Sequence, residues 1–167
     1  LTMTRTKTRA LANWPNNGVS VLDFGAVGDG VNDDTAAIQA ALNAASPSLN
    51  AGMGGVALYV PHGKYRITST LTCSNTGQVL LHGEGKFRSV LQWDAPSPGL
   101  MLDCGVWGLD LENIQINGRP SNGDLYRVGD EGIRSQGVQR FSNTYLTGFE
   151  TQLIWNGGYY HTFDNCD

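Results

Sequence analysis

The stretch Asp23–Ala45, DFGAVGDGVNDDTAAIQAALNAA, holds three glycines, four aspartates and an alanine-rich run. Its second half has helical periodicity. Ile38, Ala41, Leu42 and Ala45 fall at i, i+3, i+4 and i+7, one apolar stripe, with Thr35, Gln39 and Asn43 on the opposite side. Asn32 or Asp33 is placed to cap the first-turn amides, where an acid also suits the helix dipole. Ser46-Pro47 marks the end. The aspartates at the helix start are thereby explained without a ligand.

Sharper readings of the same stretch fail on spacing. A calcium loop needs alternating acids, a central glycine and a glutamate at its last position, and DGVNDDTAAIQA lacks that order. The dinucleotide fingerprint needs a third glycine, but Gly28-Asp29-Gly30 is followed by Val31, Asn32 and Asp33. GEGKFR, further on, lacks the first glycine and the Ser/Thr of a phosphate loop. The glycines instead supply positive-φ turns between a short strand, VSVLDF, and the capped helix.

Working outward, the 167 residues suffice for one domain with a sizeable core. Twenty-two glycines argue for many turns, as in an all-β chain. Mean hydropathy is -0.24, and no apolar run reaches the roughly 18 residues of a membrane span. The chain opens on Leu1 with no signal-peptide pattern, which suggests an excised segment. Arg5, Lys7 and Arg9 precede the first acid, Asp23, so the net charge of -4 hides a basic arm on an acidic body. Three alternating bases are few for nucleic acid, and the body would repel phosphate, so the arm reads as solvated or partner-docking. Cys73, Cys104 and Cys166 form no C-x-x-C pair and read as buried free thiols, with no zinc site.

Downstream of the helix, VALYV, YRITSTLTC and QVLLHGEG are short β-branched segments split by Pro61-His62-Gly63 and Ser74-Asn75-Thr76-Gly77. Gly108–Gly118, GLDLENIQING, then aligns with Gln139–Gly148, QRFSNTYLTG, matching Leu111 with Phe141, Asn113 with Asn143 and Ile116 with Leu146. HTFDNCD repeats the start, Phe163 and Asn165 falling where Phe141 and Asn143 fell. Alternate apolar residues in such coils are buried only by a neighbouring coil. A recurrent asparagine at a turn can bond to its copies in a ladder. An ordinary antiparallel sandwich with Asn-containing turns is the competing architecture. The chain stops inside a coil, in GGYYHTFDNCD, which predicts a longer protein.

VLDFGAVGDGVNDDTAAIQAAL followed by GGVALYVPHGKYRI resembles the entrance to pectate-lyase-like parallel β-helix domains, common in bacteriophage tailspikes and polygalacturonase-like enzymes. The arm, TKTRALANWPNNGVSVLDF, resembles phage tailspike or tail-fibre proteins in particular. The resemblance covers roughly Val19 to Ile67. It implies an all-β, right-handed parallel β-helix, with an N-terminal capping α-helix and an extended arm over 1–18. Residues 19–167 would form the N-terminal part of the β-helix domain. It further implies a homotrimer whose arm docks to phage tail or baseplate proteins, a host surface glycan as ligand, and a virion location after assembly in the host cytoplasm. Nucleic acid, membrane insertion and cofactors are not expected.

Chemistry is harder to place. His62, His82 and His161 have no neighbouring carboxylate or serine in a nucleophile arrangement, and no G-x-S-x-G occurs. Glycosidases need two carboxylates, and stacked coils can bring acids from successive turns into one groove. Asp103, Asp110, Glu112, Glu150 and Asp164 lie on or beside coils, each also explicable as a solvated acid. Lys86 and Arg88 have no acid cluster at matching spacing. The catalytic residues stay unassigned. Trp107, Trp155 and Tyr159 are the candidate carbohydrate platforms, beside Tyr160 and the arm's Trp14, although such aromatics also serve as packing. Two functional classes remain open. One is a phage tail component attaching to host surface polysaccharide, with any glycan-depolymerising activity carried beyond this segment. The other is a free polysaccharide-degrading enzyme.

Overall fold

A computed structural model describes residues 19–45, 57–73, 79–104, 109–118, 126–135, 139–155 and 161–166. The arm, 1–18, lies outside the described residues. The elements fall into successive coils. The first holds β1 (Val19–Ser20), β2 (Asp29–Asp33) and α1 (Thr35–Ala45). The second holds β3 (Ala57–Val60), β4 (Gly63–Ile67) and β5 (Leu71–Cys73). The third holds β6 (Val79–Gly83), β7 (Ser89–Trp93) and β8 (Leu100–Cys104). The fourth holds β9 (Leu109–Glu112), β10 (Gln115–Asn117) and β11 (Arg127–Ser135). The fifth holds β12 (Gln139–Ser142), β13 (Tyr145–Thr147) and β14 (Phe149–Trp155), and β15 (His161–Asp164) begins the next.

Three sheets result: A from β1, β3, β6, β9, β12 and β15; B from β2, β4, β7, β10 and β13; C from β5, β8, β11 and β14. Every strand pair among the described residues is parallel, which excludes the antiparallel sandwich. The chain visits A, B and C in turn and returns to A one layer on, a parallel β-helix.

Side-chain period 2 sends alternate residues inward, and parallel register stacks like on like. On sheet A, Leu58 pairs with Leu81, Leu81 with Leu111, Leu111 with Phe141 and Phe141 with Phe163. Sheet B stacks Tyr65, Leu91, Ile116 and Leu146; sheet C stacks Leu71, Leu102, Ile133 and Leu153. Apart from Phe163, exposed on the last described strand, these columns meet in one core. The alignment of Leu111 with Phe141 and of Ile116 with Leu146 is therefore a physical register.

The corner from sheet A to sheet B turns on Asn113, Asn143 and Asn165, with φ of 56, 48 and 50°. Asparagine tolerates this left-handed conformation better than most residues because its short amide bonds locally. Asn143 Nδ2 donates to Asn113 Oδ1 at 2.7 Å and Asn165 Nδ2 to Asn143 Oδ1 at 3.0 Å, a ladder along the solenoid.

The entrance differs from its expected form. Strand β1 is short, and Val21–Phe24 forms a 3-10 turn instead of continuing the strand. A reciprocal cap explains it: Leu22 N donates to Ser20 Oγ and Ser20 N to Asp23 Oδ2. Gly25, Gly28 and Gly30 then have positive φ, and a Cβ on Gly28 would strike the Tyr65 ring. Of the two cap candidates, Asp33 takes the role, accepting from Thr35 N at 3.0 Å and Thr35 Oγ1 at 2.6 Å. Asn32 instead bonds to Asp29, and Asp34 turns back to accept from Val27 N and Gly28 N.

Helix α1 buries Ile38, Ala41 and Leu42, each no more than 1% exposed, against the first turns of the core. It occupies the place of a sheet C strand in the first coil. The face opposite that stripe carries structure too: Gln39 Oε1 accepts from Thr72 N and Gln39 Nε2 donates to Thr72 O, both at 2.8 Å. One side-chain amide thus satisfies both backbone groups of a residue in β5, as another strand would. Thr35 Oγ1 likewise accepts from Thr68 N at 2.8 Å. Among the described residues no helix is long and apolar enough to cross a membrane.

Candidate functional site

The start of β11 is fixed by a buried carboxylate. Asp130, 1% exposed, receives Trp93 Nε1, Gly99 N and two nitrogens of Arg127, at 2.8 to 3.1 Å. The Arg127 guanidinium also donates to Ala95 O and Ser97 O. A buried charge survives only when paired and hydrogen-bonded, and here it is both. The network ties the β7–β8 connection to β11 and so sets the register of sheet C.

On that sheet, Thr72, Asp103, Arg134 and Ile154 form one outward row, each the penultimate residue of its strand. Arg134 Nη1 stands 3.6 Å from Asp103 Oδ2 and Nη2 stands 3.4 Å from Glu131 Oε2. All three side chains are a little over one-third exposed. The guanidinium is shared between two carboxylates at long range and not locked to either. A planar fork with five N–H donors retains capacity for an incoming carboxylate or hydroxyl. Nearby, Glu150 Oε2 accepts from Gly129 N at 2.6 Å, which gives that acid a structural role.

A second polar row lies on sheet A, where Tyr59, His82, Glu112, Ser142 and Asp164 follow one another in register. His82 Nδ1 is 2.8 Å from Glu112 Oε2. The Tyr59 ring stacks tilted beside His82 at 6.4 Å, and Tyr59 Oη donates to Glu84. Glu84 also faces Arg88 at 3.7 Å. Stacking thus gives His82 a carboxylate partner that adjacency in the sequence does not show. Its partner is 30 residues away in sequence, the same interval that separates Asn113 from Asn143. That stacking interval was the available signal.

Of the five candidate acids, Asp103 faces Arg134, Glu112 meets His82 and Glu150 supports Gly129. Asp110 lies half-buried opposite Arg140, and Asp164 is exposed on β15. The structure does not gather them into one cleft. Trp107 and Tyr159 lie outside the described residues; Trp155 ends β14 opposite Ser135, and its side chain lies outside them as well. In sequence, Trp107 follows β8, and Trp155 and Tyr159 close or follow β14, the strands that carry the row of Asp103 and Arg134. Among the described residues no group of three or more His, Cys, Asp or Glu could hold a metal ion.

The sequence profile described as rhamnogalacturonase A/epimerase, pectate lyase-like matches residues 18–102. Mannuronan C5-epimerase AlgE5 of Azotobacter vinelandii is 33% identical over 138 residues, covering 77% of this chain and 12% of that protein. Alginate lyase 7 of the same organism is 30% identical over 152 residues, 74% of this chain and 17% of that protein. This chain therefore spans only a small part of these curated relatives. Among solved structures, ORF18 of Geobacillus virus E2 superposes with a TM-score of 0.65 at 26% identity, over 78% of this chain and 26% of that one. The catalytic unit of a GH87 alpha-1,3-glucanase from Streptomyces thermodiastaticus strain HF3-3 shares the fold, with a TM-score of 0.56 at 23% identity, over 89% of this chain and 27% of that one. With its all-parallel coils and a profile match over just over half its length, the chain belongs to the rhamnogalacturonase A/epimerase, pectate lyase-like family of β-helix proteins.

Proposed function

We propose that this chain is the entrance section of a phage tail component, a tailspike or tail fibre, whose sheet C engages a uronate-bearing surface polysaccharide of the host through its outward face. The observation that carries the reading is Arg134, held loosely between Asp103 and Glu131 on an outward row. A guanidinium so placed offers paired donors to a sugar carboxylate. The acidic body works against long-range steering of an anionic glycan, so recognition is short-range and depends on this contact. The likeness to a virus protein supports the tail assignment. In this reading three copies associate, and the basic arm docks to the tail or baseplate, multiplying a weak contact. Light scattering of the full-length protein then gives a trimer mass.

Titration with oligomannuronate and with neutral dextran oligosaccharides tests the site. Arg134→Ala should weaken oligomannuronate binding at least tenfold, about 1.4 kcal/mol, and leave dextran binding and the melting temperature unchanged. Equal binding by variant and parent would overturn it.

A second reading, a free polysaccharide-modifying enzyme, is favoured by the named activities of the curated relatives, mannuronan epimerases and an alginate lyase. A monomeric full-length protein, with an arm that can be removed without affecting virion incorporation, would select it.

A further inference from the structure

We propose that Cys73 and Cys104 are a redox-modifiable pair, which a low-molecular-weight disulfide of the glutathione class converts into an intramolecular bridge between the second and third coils. The two residues are in-register partners at the ends of β5 and β8. Paired residues on neighbouring parallel strands stand about 4.8 Å apart, inside the Cα separation that disulfides accept. Both cysteines are free, and their Sγ atoms face each other directly. The next residue in the column, Ser135, has a buried Oγ with no hydrogen-bond partner among the described residues.

The two thiols differ in access. Cys73 is half-buried and reachable, whereas Cys104 is buried. Burial, reinforced by the Cys73 thiol beside it, pushes the Cys104 thiol well above its ordinary range. The order of events follows. The Cys73 thiolate attacks one sulfur of the small disulfide, forming a mixed disulfide and expelling one thiolate. Cys104 gives up its proton to that thiolate or to water and attacks the Cys73 sulfur. A second small thiolate leaves. Two protein thiols are oxidised, one small disulfide is reduced to two thiols, and excess thiol reverses both steps.

The bridge would join residues 31 apart in sequence at the place where Gln39 of α1 already holds Thr72 from the other side. It therefore restrains the unfolded chain without displacing the folded one. Cys166 donates to Asp164 O in the last described coil and serves as an internal control.

The experiment equilibrates the whole folded chain in glutathione buffers of graded oxidised-to-reduced ratio, quenches with acid, then unfolds the chain in denaturant at neutral pH and labels it with a maleimide. In oxidising buffer one label per chain is expected, on Cys166, against three in reducing buffer. Peptide mapping should recover a Cys73–Cys104 linkage, and melting should rise by about 5–10 °C. Cys73→Ser should abolish the linkage and the rise, and Cys166→Ser should leave both. Three labels on folded protein in every buffer would overturn the proposal. So would a glutathione adduct persisting on Cys73, or a bridge involving Cys166. If Cys73→Ser does not fold, the labelling of the parent and of Cys166→Ser still decides.

Discussion

The corner between sheets A and B is built in two ways along the same solenoid. In the first three coils each corner has its own solution. After β1 it is a capped 3-10 turn closed by Gly25, after β3 it is Pro61-His62, and after β6 it is a loop in which Arg88 N and Ser89 N return to Gly85 O. From the fourth coil onward one asparagine does the work, at positions 113, 143 and 165, each bonded to its copy one layer away. The difference reflects what lies above and below. An entrance coil abuts a helix, a tyrosine ring and an aspartate that bridges a loop, so no single residue suits every layer. An interior coil abuts others like itself, and repetition becomes stabilising because each amide finds an identical partner.

Substitutions on both sides can break or sharpen this contrast. The largest effect is expected at the entrance. Leu42→Asp puts an unpartnered charge into the buried stripe of α1 and should cost several kcal/mol, a large share of a domain's total stability. Thermal melting checks it, and a shift of only a degree or two would mean that the repeated coils stand without the helix. Next comes the ladder. Asn143→Ala removes two side-chain bonds and forces alanine into the left-handed region, together about 2–4 kcal/mol. Asn143→Gly should recover about 1 kcal/mol of that, because glycine accepts the conformation. Equal losses for the two variants in denaturant unfolding would show that the ladder bonds alone matter.

A smaller loss, about 1 kcal/mol, is expected for Gln39→Leu, since water can reach the freed Thr72 groups. Hydrogen exchange at the Thr72 amide would accelerate in that variant and not in Asn143→Ala. The smallest effect is a change of pH dependence. Burial opposes ionisation of Asp33, but hydrogen bonds from Thr35 and Thr68 and the charge of Arg66 outweigh it and lower its pKa. A lowered folded value stabilises the protein above the unfolded value of about 3.9, and that stability is lost as pH falls through the folded value. Melting followed from pH 6 to 2 should therefore be flatter for Asp33→Asn. Asp29, lowered by the amides of Val31 and Asn32, acts with the same sign and keeps part of the slope.

The repeating region was legible because its rule is local and periodic. Leu111, Asn113 and Ile116 announce their partners at Phe141, Asn143 and Leu146 by spacing alone, and the stripe Ile38, Ala41 and Leu42 announces a buried helix face. The VSVLDF segment was misread as all strand because the cap between Ser20 and Asp23 decides it, and β-propensity does not. The candidate site was the least legible part. Arg134 meets Asp103 only once β11 is set in register by the buried Arg127–Asp130–Trp93 network, whose members come from different coils. His82 and Glu112 likewise meet by stacking and not by adjacency. Charge contacts between coils leave no periodic trace when only one pair of coils makes them.

Gln39 has a consequence for molecules rather than for residues. A parallel sheet whose terminal strand keeps open amides and carbonyls is a template, and a second copy adding its own strand there would present the same invitation again. Such head-to-tail contacts do not close, and they grow into fibres. The Gln39 amide occupies the Thr72 position of that template, and the helix that carries it shields the neighbouring layer. At Thr72 the chain itself supplies the partners that a further strand of sheet C would otherwise bring, in a side chain that offers no backbone edge to copy.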